Sequence, residues 1–250
     1  MQVLKWARGA SVSLVLLAGA AGALADARAD NAAALKQIFA DSDEADLALN
    51  PMSAMLRGDM RYADRFGDYI TPEYYARMKA DAENDLRRLD AIDRDALSRE
   101  DRIAYDVFSY ERRQLLDFYA RGIIAIQAQL PIDHFSGVHV YFPDLSSGKS
   151  AAPFKTVQDY DNGLKRLDGY AQYLERSIGR MREGMAAGHT QPKLVMENIL
   201  DQLDRQMAGG AEASPFADFK DGVVYKLFPL HINGGLGKTF EIEQDGEVGQ

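Results

Sequence analysis

The chain has 250 residues, with 38 acidic against 29 basic side chains and a net charge of −9. That balance excludes nucleic acid and anionic lipid as electrostatically held partners. There is no cysteine, which excludes a disulfide framework and thiolate chemistry, so stability has to come from packing.

The N-terminus carries the pattern of a secretory signal. Lys5 and Arg8 supply the positive region, and an apolar run follows from Ala10 to Leu24. It ends in Ala23-Leu24-Ala25, a small-residue pattern that sets cleavage between Ala25 and Asp26. Ala25-Asp26-Ala27 and Ala27-Arg28-Ala29 are neighbouring alternatives. The run falls short of the ~20 apolar residues a spanning helix needs; an uncleaved anchor is the competing reading. Without a cysteine, lipoprotein-type anchoring is excluded. Cleavage removes two basic residues and no acidic one, taking the net charge from −9 to −11. The expectation is a periplasmic or secreted protein with no membrane contact once residues 1–25 are gone.

The rest reads as helix. Leu35, Ile38, Phe39, Ala45 and Leu47 lie at helical spacing in 33–49. Asn50-Pro51 restarts a helix, with Asn50 as cap and Pro51 in first position, and Gly58 stops it. Thr71-Pro72-Glu73 is the next start, followed by a stripe of Tyr75, Met78, Ala82, Leu86 and Leu89 to about residue 92. Ser98 caps a helix over 99–127, with Ile103, Val107, Tyr110, Leu115, Phe118 and Ile123 as its apolar face. The short 93–98 turn makes these two an antiparallel hairpin.

Pro131, Pro143 and the glycines around them mark 130–153 as the one irregular segment. Thr156 starts a long helix over 157–185, with Tyr160, Leu164, Leu167, Tyr170, Leu174, Ile178 and Met181 as its stripe. Pro192 begins the last helix, through Leu194, Val195, Ile199, Leu203 and Met207 to residue 208. The fold class is therefore all-α: a multi-helix bundle of long amphipathic helices over 26–219, with an irregular, glycine-rich tail over 220–250.

Several segments, in order, carry a family resemblance. They are LALNPMSAMLRGDMRYADRFGDY from Leu47, LRRLDAIDRDALSREDRIAYDVFSYE, LPIDHFSGVHVYFPDL, PFKTVQDYDNGLKRL, YLERSIGRMREGMAAG, QPKLVMENILDQLD and SPFADF. Each alone is weak, but their ordered combination is specific. The chain resembles the N-terminal portion of the bacterial domain-of-unknown-function 885 family. The resemblance implies an exported, mostly helical, zinc-metallopeptidase-like protein. Its metal would be held by a His-Glu-x-x-His-like helix, two imidazoles on one face with a glutamate to activate water. The expectation is that this helix belongs to a C-terminal half outside the chain, so zinc is expected only there. Peptide is then a substrate only for the full-length protein, and the chain alone is inactive.

The four histidines, His134, His139, His189 and His231, do not spell that motif. His134 and His139 are five apart behind Pro131, so they lack helical i, i+4 geometry; they are candidates for lining a cleft in a loop. No catalytic residue and no metal ligand is assigned. Asp133, His134 and Ser136 stand too close in sequence for a hydrolytic triad, whose roles come from separate elements. Gly234-Gly235-Leu236-Gly237-Lys238-Thr239 looks like a phosphate loop, but Ile232 stands where its first glycine belongs. Asp59 and Asp68 read as turn punctuation, and Arg57, Arg61 and Arg65 as partners of nearby acids. A half-domain of this kind exposes an apolar face, expected at Val195, Ile199, Leu203, Phe216, Phe219, Val223, Leu227 and Phe228. It would then meet a C-terminal half or a second copy of itself. The alternative is a stand-alone periplasmic helical binding or scaffold module.

Overall fold

A computed structural model describes residues 7–210, with side chains described from residue 27 onward. The described residues form eight helices and no strand, so the protein is all-α. In chain order these are α1 (Ala7–Leu49), α2 (Pro51–Leu56), α3 (Pro72–Leu89), α4 (Arg99–Ala120), α5 (Ile123–Ala128), α6 (Val138–Leu145), α7 (Val157–Ala187) and α8 (Lys193–Met207). The cleavage site proposed at Ala25 and Asp26 falls within the backbone of α1, and the side chains there lie outside the described residues. No helix among the described residues is long and apolar enough to cross a membrane. The expected tail over 220–250, with His231 and the glycine-lysine stretch, also lies outside them.

The chain divides into two units. The first joins the segment up to Asp46 with Tyr75–Gly122, and the second joins Leu47–Tyr74 with the chain from Ile123 onward.

The first unit is built on the expected hairpin. Thr71 Oγ1 accepts from the Tyr74 amide at 3.0 Å, which starts α3. Ser98 caps α4, its hydroxyl accepting from the Asp101 amide at 3.0 Å. Antiparallel pairing follows from two tyrosines on α4: Tyr105 donates to the Leu89 carbonyl and Tyr119 to the Tyr75 carbonyl. Leu35 and Ile38 from α1 close over Leu89, Ile92 and Leu97, with Phe39 against Phe108 at 4.8 Å between ring centres. Burial of apolar surface of this kind is the main favourable term in folding.

A polar triad sits inside this unit. Asp85 is only 3% exposed and shares the inward face of α3 with Ala82 and Leu89. Its carboxylate accepts from Ser42 Oγ at 2.7 Å and from Arg112 Nε at 2.9 Å, and Arg112 also reaches Ser42. The Arg112 guanidinium lies 4.4 Å from the Phe108 ring centre. Each buried polar group thus has partners, the condition for burying it at all.

The structure corrects the expected α4 in two ways. The helix stops at Ala120 rather than running to 127, because Gly122 takes a left-handed conformation (φ 72°) and α5 begins afresh. Ile103, Val107 and Tyr110, expected as core, are exposed. The inward face is instead Tyr105, Phe108, Ser109 and Arg112, because the ring contact to Phe39 and the Asp85 ion pair fix the rotation of α4.

In the second unit α7 is the organising element. It begins with a reciprocal capping box: Thr156 Oγ1 accepts from the Asp159 amide, and the Asp159 carboxylate accepts from the Thr156 amide. It ends at Gly188 in the left-handed conformation. Its most buried residues are Gly163, Arg166, Tyr170, Tyr173, Ser177 and Gly184, not the leucine stripe, which is half-buried. Small residues on this face let neighbouring backbone come close. A Cβ at position 169 would collide with Cβ of Phe66. Around Phe66, the rings of Phe142, Tyr170 and Tyr173 stand 5.1 to 5.8 Å away.

The 130–153 segment is not wholly irregular, since α6 lies within it despite containing Pro143. The last helix also turns differently from expectation. Ile199 is buried, while Val195 and Leu203 are half-buried and Leu194, Leu200 and Met207 are exposed. Phe216, Phe219, Val223, Leu227 and Phe228 lie outside the described residues.

Two glycines of α7 make a controlled comparison. Gly169→Ala forces Phe66 aside and is expected to destabilise the protein by about 1–3 kcal/mol. Gly179→Ala meets nothing within 4 Å and should stabilise by up to about 1 kcal/mol through helix propensity. Urea unfolding of both variants checks the opposite signs.

Candidate functional site

Two irregular segments of the second unit hold most of the residues that stand out in the sequence: 57–70 and 130–137. The first is a strap that starts where Gly58 (φ 84°) ends α2. Asn50, expected to cap α2 through its side chain, makes no such bond and accepts from the Tyr74 hydroxyl at 2.9 Å. Asp59 starts a helical turn by accepting from the Arg61 amide at 3.0 Å, and pairs with the Arg61 guanidinium at 2.6 Å. Those Arg61 bonds hold the Asp59 carboxyl below its ordinary value. Arg61 and Arg65 both stand over the Tyr62 ring, at 5.4 and 5.5 Å. Asp64 lies 3.8 Å from Arg65 and 3.7 Å from Lys165. The arginines of the strap are therefore engaged with acids and a ring.

The inner side of the strap is held by α7. Arg166 Nη1 donates to the Ala63 carbonyl, and Arg180 Nε donates to the Ile70 carbonyl at 3.0 Å. Ile70 sits at φ 60°, a conformation that costs a β-branched residue of order 1–3 kcal/mol. The Arg180 bond and the burial of Ile70 hold it there. Arg166 is 2% exposed and its Nε has no hydrogen-bond partner among the described residues. Burial pulls its pKa below the ordinary arginine value, and the charge of Asp159 works in the other direction.

The second segment is a histidine loop clamped by two glutamines of α8. Asp133 accepts from the amides of Phe135 and Ser136 at 2.7 Å and from the Ser136 hydroxyl at 2.6 Å. Burial pushes the Asp133 carboxyl up, but the Ser136 and Phe135 bonds and the nearby His134 outweigh it, leaving the carboxyl below its ordinary value of 3.8. Ser136 and Asp133 thus close a turn, and His134 Nδ1 has no hydrogen-bond partner among the described residues, so no proton relay joins the three there.

Gln202 Nε2 donates to the His134 carbonyl at 2.9 Å, which directs its Oε1 at His139 Nε2, 3.1 Å away. The pattern assigns the Nε2–H tautomer to His139 and leaves the Nδ1 lone pair facing Gly137. His139 is 2% exposed, sealed within the unit, while His134 is half-buried.

One turn further along α8, Gln206 Nε2 donates to the His139 carbonyl at 2.8 Å. That bond explains how α6 tolerates Pro143. Proline has no N–H, so the carbonyl four residues earlier, that of His139, loses its helical donor. Gln206 supplies the donor instead. Three neighbours complete the clamp. Gln191 donates to the Ile132 carbonyl, Tyr173 to the Pro131 carbonyl, and His189 Nδ1 lies 2.7 Å from Gln129 Oε1.

These residues do not fit a zinc centre. Among the described residues no three His, Cys, Asp or Glu side chains come together as metal ligands. His139 and His189 each use one ring nitrogen on a glutamine. The sequence reading singled out the histidines and missed Gln202, Gln206, Arg166 and Arg180. The available signal was position: each occupies a place on an inward helix face where an apolar residue is the usual choice.

Residues 51–228, more than half of the chain, match the family of bacterial proteins of unknown function DUF885, and the chain belongs to that family. No curated protein and no solved structure matches the chain.

Gln206→Ala strands the buried His139 carbonyl and is expected to cost about 1–3 kcal/mol in urea unfolding. Pro143→Ala restores a helical donor to the same carbonyl, so the double variant should regain most of that loss in a double-mutant cycle. A second test concerns acid. Because the folded-state Asp133 pKa is depressed, its contribution is present above the ordinary value of 3.8 and lost as pH falls through the folded value. Asp133→Asn should therefore flatten the acid limb of the stability profile while lowering stability at neutral pH.

Proposed function

We propose that this member of the family is the helical, non-catalytic portion of an exported, zinc-metallopeptidase-like protein, and that the metal ligands come from outside the described residues. The observation that carries this reading is the use already made of the histidine loop. His139 Nε2 and the carbonyls of His134 and His139 are bonded to glutamines of α8, and among the described residues no metal-ligand grouping stands beside them. The charged N-terminus and apolar run before Ala25 support export, to the periplasm or beyond. In this reading the chain shapes the approach to a cleft whose chemistry is supplied elsewhere, and peptide is the substrate of the whole protein.

A second reading, a stand-alone periplasmic helical binding module, is favoured by one specific observation. The outward face of α4 presents Ile103, Val107 and Tyr110 to solvent.

Dialysed chain should retain no stoichiometric zinc by elemental analysis and should not hydrolyse a fluorogenic peptide library. Zinc retained at one equivalent and lost in a His134→Ala/His139→Ala variant would overturn the proposal. If the adjoining coding sequence carries a His-Glu-x-x-His segment, co-expressing that polypeptide should restore hydrolysis. An intact chain that gains no activity from it points to the binding module.

A further inference from the structure

The first unit carries a groove between α1 and α4, bounded by the exposed face of α4. It has a volume of about 470 Å³ and is lined by Phe39, Ile103, Ala104, Val107 and Phe108, with Glu100 and Glu111 as its polar lining. On α4 the apolar wall continues onto Tyr110, one turn beyond Val107. Ile103, Val107 and Tyr110 are 57%, 52% and 64% exposed, three large apolar side chains on one helix face. Isolated exposed apolar residues are common, but a contiguous set beside a concave floor marks an interaction site.

The charge around the groove narrows the occupant. Glu100 and Glu111 are exposed, and neither has an ion-pair partner among the described residues. Their separation of eleven positions spans about 16 Å along α4. On the α1 wall Asp43 stands one turn beyond Phe39 and Lys36 one turn before it, both exposed, so the acidic character of the rim rests on Glu100 and Glu111. We propose that this groove docks a cationic amphipathic helix of a partner protein. Its apolar residues at i, i+3, i+4 and i+7 would lie on Ile103, Val107 and Phe39, and its lysines or arginines would meet Glu100 and Glu111.

A second copy of this chain is a poor occupant. Two α4 helices packed antiparallel bring four glutamates around one small apolar patch, on chains that each carry −9. Anionic lipid is repelled by the same rim. The inference is independent of the metallopeptidase-like reading, because every residue that lines the groove belongs to the first unit and none to the histidine loop.

The test uses the full chain and a fluorescent synthetic helix of about 15 residues, leucine on one face and lysine on its flanks. Fluorescence anisotropy should show saturable binding that weakens with salt. Val107→Asp should weaken it about tenfold or more, and Glu100→Lys/Glu111→Lys about fivefold. Both variants sit on exposed positions, and circular dichroism checks that they remain folded. A leucine–glutamate helix should not bind. Equal binding of the leucine–lysine helix to wild type and to folded Val107→Asp overturns the proposal, as does no binding at all. Concentration-dependent dimerisation abolished by Val107→Asp also overturns it, in favour of a second copy. Binding of anionic vesicles abolished by Val107→Asp overturns it in favour of a membrane surface.

Discussion

Backbone carbonyls that no regular helix can satisfy govern the second unit. The irregular segments around 63–70 and 131–139 turn carbonyls inward, and a buried carbonyl without a donor costs about as much as a lost hydrogen bond. Six of them are met by side chains: Ala63 by Arg166, Ile70 by Arg180, Pro131 by Tyr173, Ile132 by Gln191, His134 by Gln202, and His139 by Gln206. The donors come from α7, α8 and the turn between them. The long helices therefore act as donor racks as well as apolar walls. Because a hydrogen bond fixes distance and direction while apolar contact does not, these bonds set the rotation of α7 and α8.

The same constraint accounts for the composition of the inward faces. On α7, glycines at 163, 169 and 184 admit neighbouring rings and backbone, and the arginines stand between them. Arg166 is a buried cation bonded to the Ala63 carbonyl, with the charge of Asp159 as counterweight. A lone charge in such a place is costly, which makes the strap position it secures the decisive local choice in this part of the fold. In the first unit the equivalent role falls to Asp85, whose Oδ2 accepts from both Ser42 and Arg112. There a single polar triad fixes α1, α3 and α4, and apolar packing supplies the remainder.

Family membership and structure bear on function in different ways. The family match places the chain among bacterial proteins whose description assigns no activity. The structure adds that the histidines nearest to a site-like arrangement are used to hold α6 and α8 together. The groove of the first unit is the opposite case: apolar, open, and edged by Glu100 and Glu111, which have no ion-pair partner among the described residues.

Much of this protein was legible in its sequence. Caps at Thr71, Ser98 and Thr156, and the stop at Gly188, act over four or five residues, so the starts of α3 and α4 and the bounds of α7 and α8 could be read locally, while α3 ends at Leu89, short of the expected residue 92. The hairpin of α3 and α4 followed from a short turn, and the all-α class from helical periodicity. Rotation about the helix axes was decided only in the tertiary structure. Ile103, Val107 and Tyr110 match a buried stripe as well as Tyr105, Phe108 and Arg112 do, and only the contacts with Phe39 and Asp85 choose between them. Likewise Pro143 signals irregular chain until a donor arrives from a glutamine 63 positions later. Local sequence sets where a helix starts and stops because caps are local bonds; which face turns inward depends on partners far away in the chain.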